Sequence, residues 1–448
     1  MSVNWTSTFL LVWWISYLTS LFLWKQNDPN LGLIATKQGS VTNQVLISAL
    51  GALGIWHSPI AVHRLCQKRS KWLFVLFAYT GWSALSILWS DNLALSVRRL
   101  GEFVILTAAG LFIGAGYYGR DSRSNLLLSK HMVVAALLTA VAIVAYSWND
   151  LTLEHFLTPS WDPGVRAIGL YIAYPLSLAF IAMVAHFNVF TRKMRILLCV
   201  TFTVLMVFLK FRSLTGLTLA CAFIVLFVKG RSIRKAVLVI TSIGLLAGIS
   251  YLTVRATGSI AIVNGALTWY DKGNDNKTVN DLNGRISLWI FLLRHRPSNW
   301  LGGTGFGAFW TSEQMAIVWN AVQWRAPIAH NGYLDEFLAT GAIGLLVNLA
   351  FYLTATRSTF KLYSVEGDGA SLTVLGWLIL SLLFNTVDSI NQFYFKLPYY
   401  ALIAGLASVS VSRRNPSNNL RLRKPRFAVR RLQISHSLRG LATLATHN

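Results

Sequence analysis

Acidic residues are scarce in this chain: 448 residues carry 16 Asp and Glu against 40 Lys and Arg, and only 12% of positions are charged. Soluble domains carry roughly 25%, so a water-exposed globular enzyme of this length is excluded. Cysteine is nearly absent as well. Cys66, Cys199 and Cys221 are scattered without C-x-x-C or Cys/His spacing, which argues against a disulfide framework and a zinc site and leaves the redox compartment open. No basic stretch precedes the first apolar run, and that run is long enough to span, so it reads as an uncleaved helix rather than a signal peptide.

What the chain has instead is apolar sequence: 54% of residues are hydrophobic and the mean hydropathy is +0.51. A hydrocarbon core of about 30 Å takes roughly 20 helical residues to cross, and about twelve runs approach that length. Nine lie before residue 254 (7–24, 43–62, 72–89, 100–118, 131–147, 168–187, 196–210, 214–228, 236–253) and three after 335 (336–354, 371–387, 396–411). The expected fold is therefore an all-α polytopic membrane protein. It has an N-terminal bundle over 1–254, a large loop with short helices over 255–335, C-terminal spans over 336–411 and a basic tail over 412–448.

Loops that stay in the cytoplasm retain Lys and Arg. One set of connections holds Arg64, Lys68, Arg69 and Lys71, then Arg120, Arg123 and Lys130, then Arg192, Lys193 and Arg195, then Lys229, Arg231, Arg234 and Lys235. The tail, with Arg413 to Arg439, belongs to the same side, so both termini are expected in the cytoplasm and the 255–335 loop outside. A basic juxtamembrane tail meets anionic headgroups more simply than nucleic acid, and no nucleic-acid partner is read from it.

Basic side chains at outer helix ends are not explained by this rule. Arg98 and Arg99 open the fourth span, Arg166 precedes the sixth, Lys210 and Arg212 fill the turn between the seventh and eighth, and Arg285 lies in the large loop. Guanidinium groups pair with phosphate oxygens, so together they point to an outward-facing anion site; each alone also fits headgroup anchoring or a local salt bridge, such as Arg98 with Glu102. In the loop, Ile286, Trp289, Ile290 and Leu293 form an apolar stripe at helical spacing, suited to a membrane surface or to the bundle. Gly302, Gly303, Gly305 and Gly307 follow, a turn where backbone can approach a substrate closely. No strand precedes it, so it is not a dinucleotide fingerprint.

The next segment reads Ala329, His330, Asn331, Gly332, Tyr333, Leu334, Asp335, Glu336, Phe337, then Gly341 to Gly344. It resembles the O-antigen ligase and polysaccharide polymerase superfamily, whose hallmark is a His followed by Asn, Ser or Gln, nine residues, and a Gly-containing tetrad. Gly284, Arg285, Trp289 and Gly303 to Phe309 resemble the family's upstream pattern; Trp89 to Asp91 with Arg98 or Arg99, Arg166 with Gly169, and Arg212 with Ser213 are weaker matches. Tyr174, Pro175 and Leu176 depart from the family's His, Pro and Asn stretch, and Arg212 precedes Ser213 where the family has Ser and Arg.

The resemblance implies a bacterial inner-membrane enzyme that moves a glycan from undecaprenyl pyrophosphate to a hydroxyl acceptor by inverting displacement, without metal, cofactor or nucleotide sugar. His330 and Arg285 are its expected catalytic residues, with Arg98, Arg99, Arg166, Arg212, Asn331 and Asp335 binding pyrophosphate or glycan. The residues support this independently. The loop has no Asp-x-Asp triplet, so side chains must neutralise the leaving pyrophosphate. An imidazole of ordinary pKa, about 6.5, accepts a hydroxyl proton near neutral pH. Asp335 and Glu336 are the carboxylates near enough in sequence to orient it. A glycan acceptor would make the protein an exopolysaccharide or O-antigen polymerase, and a lipid A core acceptor a ligase; Phe306 to Trp310 and His330 to Asp335 look more like the polymerase branch. Two other readings fit the layout. One is a flippase or transporter, which should show internal repeats and mid-membrane charge. The other is a non-catalytic member of an export complex, in which the tail docks a cytoplasmic partner; export or chain-length proteins would also be partners of an enzyme.

Overall fold

The computed structural model describes residues 5–26, 41–68, 70–120, 122–146, 163–186, 190–208, 212–230, 285–322, 326, 328–389 and 396–412. The expected span at 236–253, Lys210, the first half of the loop and the basic tail lie outside them. Two units are distinguished, Met1–Val411 and Ser412–Asn448, and everything below concerns the first.

Among the described residues the fold is entirely helical. The helices are α1 (Trp5–Gln26), α2 (Val41–Cys66), α3 (Lys71–Leu85, prolonged by a tight turn Ser86–Trp89), α4 (Leu93–Ile113, prolonged by a wide turn Gly114–Tyr118), α5 (Ser122–Tyr146), α6 (Pro163–Ala185), α7 (Arg192–Phe208), α8 (Arg212–Gly230), α9 (Arg285–Arg294), α10 (Ser312–Val322), α11 (Gly332–Glu366), α12 (Gly369–Phe384) and α13 (Lys396–Val411). In hydrocarbon every backbone N–H and C=O must be satisfied within the chain, which is why apolar sequence of this kind adopts helix.

Five helical stretches among the described residues are long and apolar enough to cross a membrane: Gln44–Cys66, Lys71–Trp89, Leu93–Tyr118, Ser124–Val141 and Gly332–Glu366. Only 28% of the most apolar window in each of the first two is buried, so large apolar side chains such as Trp56 and Phe74 face outward, as does Leu346 in the last. Water would not tolerate such a surface, and lipid does. Between helices, association rests on close backbone approach at small residues. A Cβ at Gly54 would come within 2.9 Å of the Ala109 backbone, and one at Gly114 within 2.4 Å of the Ala404 carbonyl, which draws α2, α4 and α13 together.

The loop before α11 builds a second, smaller core. Leu288 and Leu292 of α9 pack with Phe309, Trp310, Met315 and Val318 and with Leu334 and Leu338 of α11. Leu288 and Leu292 face this core with Trp289 packed against it, while Ile290 and Leu293 of the expected stripe are exposed.

The element that positions the site is α11, which is not one straight rod. Gly341 breaks it with φ 71° and ψ −174°. A cleft is lined by Tyr333 and Glu336 from the arm before the break, by Asn348 and Tyr352 from the arm after it, and by Asn385. In an unbroken helix Tyr333 and Tyr352 would stand about 28 Å apart, so the short arm folds back along the long one. A break inside a membrane helix is tolerated only where its freed backbone groups find partners. Here the glycine-rich turn supplies them: Ala342 N donates to the Trp300 carbonyl at 3.0 Å, Ile343 N to the Leu301 carbonyl at 3.3 Å, and Thr304 N to the Leu338 carbonyl at 3.1 Å. The indole of Trp82 on α3 donates to the Thr340 carbonyl at 2.9 Å.

Candidate functional site

His330 sits immediately before α11 with φ 50°, the one non-glycine residue among those described in the left-handed region. A side chain held there needs its surroundings to over-determine it, and such strain concentrates at functional positions. The clamps are visible on both sides. Ala329 donates its N–H to Asp335 Oδ1 at 3.1 Å and receives the Trp289 indole N–H on its carbonyl at 2.7 Å. On the other side Asn331 caps α11, its Oδ1 accepting from Tyr333 N and Leu334 N at 3.1 Å each. Gly332 N then donates to the Asn385 carbonyl at 2.8 Å, and a Cβ at Gly332 would lie 2.0 Å from Asn385 Oδ1. The imidazole is thereby carried to the end of α12.

There it meets Asp388. His330 Nδ1 lies 3.1 Å from Asp388 Oδ1, with 18% of the imidazole side chain exposed and 11% of the Asp388 side chain. Burial alone would raise the Asp388 pKa. The charge of His330 and its hydrogen bond, then the charge of Arg285 and the Ser389 N–H, outweigh burial and hold this carboxyl below the ordinary 3.8. An ionised carboxylate only accepts hydrogen bonds, so Nδ1 carries the proton. In the neutral ring, Nε2 is then the basic nitrogen. Arg285, first residue of α9, donates to the Val387 carbonyl and places its charge beside Asp388. Three residues from separate parts of the chain thus meet at one point.

Asp335 is 3% exposed and serves this cluster from behind. Its oxygens accept from the Trp310 indole at 2.6 Å, from Ala329 N and from the Ser389 hydroxyl. Since Ala329 adjoins His330 and Ser389 adjoins Asp388, one carboxylate ties the residue beside each, through a backbone N–H at Ala329 and a hydroxyl at Ser389. Glu336 accepts from Tyr79 at 2.8 Å and Thr340 at 2.6 Å, joining α3 to the break in α11. The expectation that Asp335 or Glu336 orients His330 is therefore corrected: the carboxylate on Nδ1 is Asp388, 58 residues further on.

A scan against protein-family models and a search of curated proteins found no match.

The remaining expected site residues fall in different places. Arg99 donates to the Gly307 carbonyl and so anchors the glycine-rich turn. The preceding residue, Arg98, has its Nε buried with no hydrogen-bond partner among the described residues. Arg166 lies near the start of α6 and Arg212 opens α8, but their side chains lie outside the described residues. The glycine-rich turn itself approaches α11 and not an open site: a Cβ at Gly303 would lie 2.5 Å from the Ala339 carbonyl, and one at Gly341 2.1 Å from the Leu301 carbonyl. It also rests on the end of α3, where the Trp89 indole donates to the Gly302 carbonyl at 3.1 Å and Asp91 N to the Thr304 carbonyl at 2.9 Å. Among the described residues no three His, Cys, Asp or Glu side chains come together as metal ligands.

Proposed function

We propose that this protein is a glycosyltransferase of the O-antigen ligase and polysaccharide polymerase superfamily. On this reading it crosses the bacterial inner membrane about twelve times, with both termini in the cytoplasm and the 255–335 loop in the periplasm. It moves a glycan from undecaprenyl pyrophosphate to an acceptor hydroxyl, that of another lipid-linked repeat unit, which makes it a polymerase of exopolysaccharide or O-antigen.

The observation that carries the reading is the strained, clamped His330 with Asp388 on Nδ1 and Arg285 beside them. Asp388 fixes the tautomer and compensates the imidazolium that forms when Nε2 takes the acceptor proton. As that proton leaves, the acceptor oxygen forms its bond to the anomeric carbon of the donor. The bond from that carbon to the phosphate oxygen breaks, and the electron pair departs with the pyrophosphate. Cationic side chains stabilise the charge that develops there; the charge of Arg285 beside Asp388 and the unused buried donor of Arg98 support this role for them. The acceptor preference rests on the resemblance of Phe306 to Trp310 and His330 to Asp335 to the polymerase branch.

The test is transfer by the purified protein in nanodiscs, given undecaprenyl-pyrophosphate-linked repeat units from the native pathway, with EDTA present. A ladder of longer lipid-linked glycans supports polymerisation. Transfer seen only after lipid A core is added makes the protein a ligase, and no product under either condition from folded protein turns the reading towards transport.

A further inference from the structure

We infer that the tip of the glycine-rich turn, Trp300 and Leu301, inserts into the acyl region of the leaflet on the His330 side, so that this turn is a membrane element and not a water-exposed loop. Its backbone is bonded into the break of α11, through Ala342 N to the Trp300 carbonyl and Ile343 N to the Leu301 carbonyl. The turn must therefore lie at the depth of that break, on a helix long and apolar enough to cross the membrane. Trp300 and Leu301 are nevertheless 48% and 46% exposed, next to Ile343 and within one turn of Leu346, which is 65% exposed. The backbone bonds thus set two exposed apolar residues of the turn beside a stretch of α11 that itself exposes Ile343 and Leu346.

Two further observations agree. From Pro297 to Thr311 the chain has no charged residue, while Arg294 and Arg296, both exposed, flank it on one side. An uncharged apolar tip with basic residues at its base is the pattern of an interfacial anchor, the cations meeting headgroup phosphates. The indoles of Trp82 and Trp89, with ring centroids 5.6 Å apart, pack beside the turn, and Trp89 donates to Gly302. Trp side chains gather at this level of a bilayer. The inference concerns where the turn sits and stands apart from the proposed reaction. Its consequence is that His330 is held near headgroup level, where the phosphates of any lipid-linked substrate lie.

The test is spin-label depth in proteoliposomes of phosphatidylethanolamine and phosphatidylglycerol. Labels are placed at Leu301→Cys and, separately, Trp300→Cys in full-length protein carrying Cys66→Ser and Cys199→Ser. Leu346→Cys serves as the lipid reference and Glu313→Cys, on an exposed position of α10, as the aqueous one. The ratio of oxygen to nickel-chelate collision is expected to be several-fold higher at 300 and 301 than at 313, and close to that at 346. A ratio at both positions matching 313, or weak collision with both reagents as under a protein partner, would overturn the inference. Because the readout is depth, loss of glycosyl transfer with lipid-like labels would remove only the reaction.

Discussion

Replacing Gly341 by Ala should be strongly damaging. The new Cβ would stand 2.1 Å from the Leu301 carbonyl oxygen, 2.3 Å from its carbon and 2.5 Å from Gly302 N, all backbone atoms that cannot rotate away. At φ 71° and ψ −174° the residue also occupies a region essentially reserved for glycine, at a cost of about 1–3 kcal/mol. Relief requires the turn to withdraw, which forfeits its bonds to Ala342, Ile343 and Leu338 of α11 at about 1 kcal/mol each. The expected loss is thus about 4–6 kcal/mol. Two controls separate the terms. Gly367 has φ 67° but nothing within 4 Å of a Cβ, so Gly367→Ala should cost only about 1–2 kcal/mol. Gly101 lies inside α4 with open space, so Ala there should be neutral or stabilising by up to about 1 kcal/mol. Denaturant unfolding of the three purified variants, followed by intrinsic tryptophan fluorescence, measures the order. If Gly341→Ala were no worse than Gly367→Ala, the interlocking of the turn with α11 would be wrong.

Asp388→Asn should leave the protein inserted but lower turnover by about 10²-fold or more, with KM little changed, in the same transfer assay. The Asp388 carboxyl binds its proton less readily in the native state than in the unfolded one. Its stabilisation is accordingly full above the ordinary carboxylate value and is lost as pH falls through the depressed native one. The stability gap between wild type and Asp388→Asn should therefore close on acidification below about pH 4, as thermal unfolding across pH will show. Asp335→Asn should cost about 2–3 kcal/mol and raise amide exchange together in the segments around Ala329 and Ser389; protection lost in one segment alone would argue against a shared tie. Arg285→Ala should stop product formation while the protein still inserts at normal levels, as product assays and membrane fractionation will report.

Helical character and the segment that carries His330 were legible because both are local in sequence. Apolar run length dictates helix in lipid, and His330, Asn331 and Arg285 stand in a recognisable spacing. Asp388 was not, because its pairing with His330 depends on α11 folding back to the end of α12. No local pattern encodes a contact across 58 residues. A signal existed in composition: with 16 acidic residues in 448, an Asp just past an apolar run merits the same attention as the outward arginines. Gly341 shows the other limit. Its place in a glycine-containing tetrad was plain, but the reason for glycine there is the approach of Leu301 and Gly302, which only the packed structure reveals. Likewise Asp335 reads as a ligand-binding carboxylate, whereas its oxygens are engaged by Trp310, Ala329 and Ser389.

The central claim is that His330, oriented by Asp388, takes the proton in glycosyl transfer from a pyrophosphate-linked donor. The most direct measurement is single-turnover transfer by wild type and His330→Gln in nanodiscs, with native repeat-unit donor at saturation and unfolding curves taken on both. Extended lipid-linked glycan from wild type, a rate lower by at least about 10²-fold in His330→Gln and matching unfolding curves is the outcome this account predicts. Equal rates from the two proteins would contradict it.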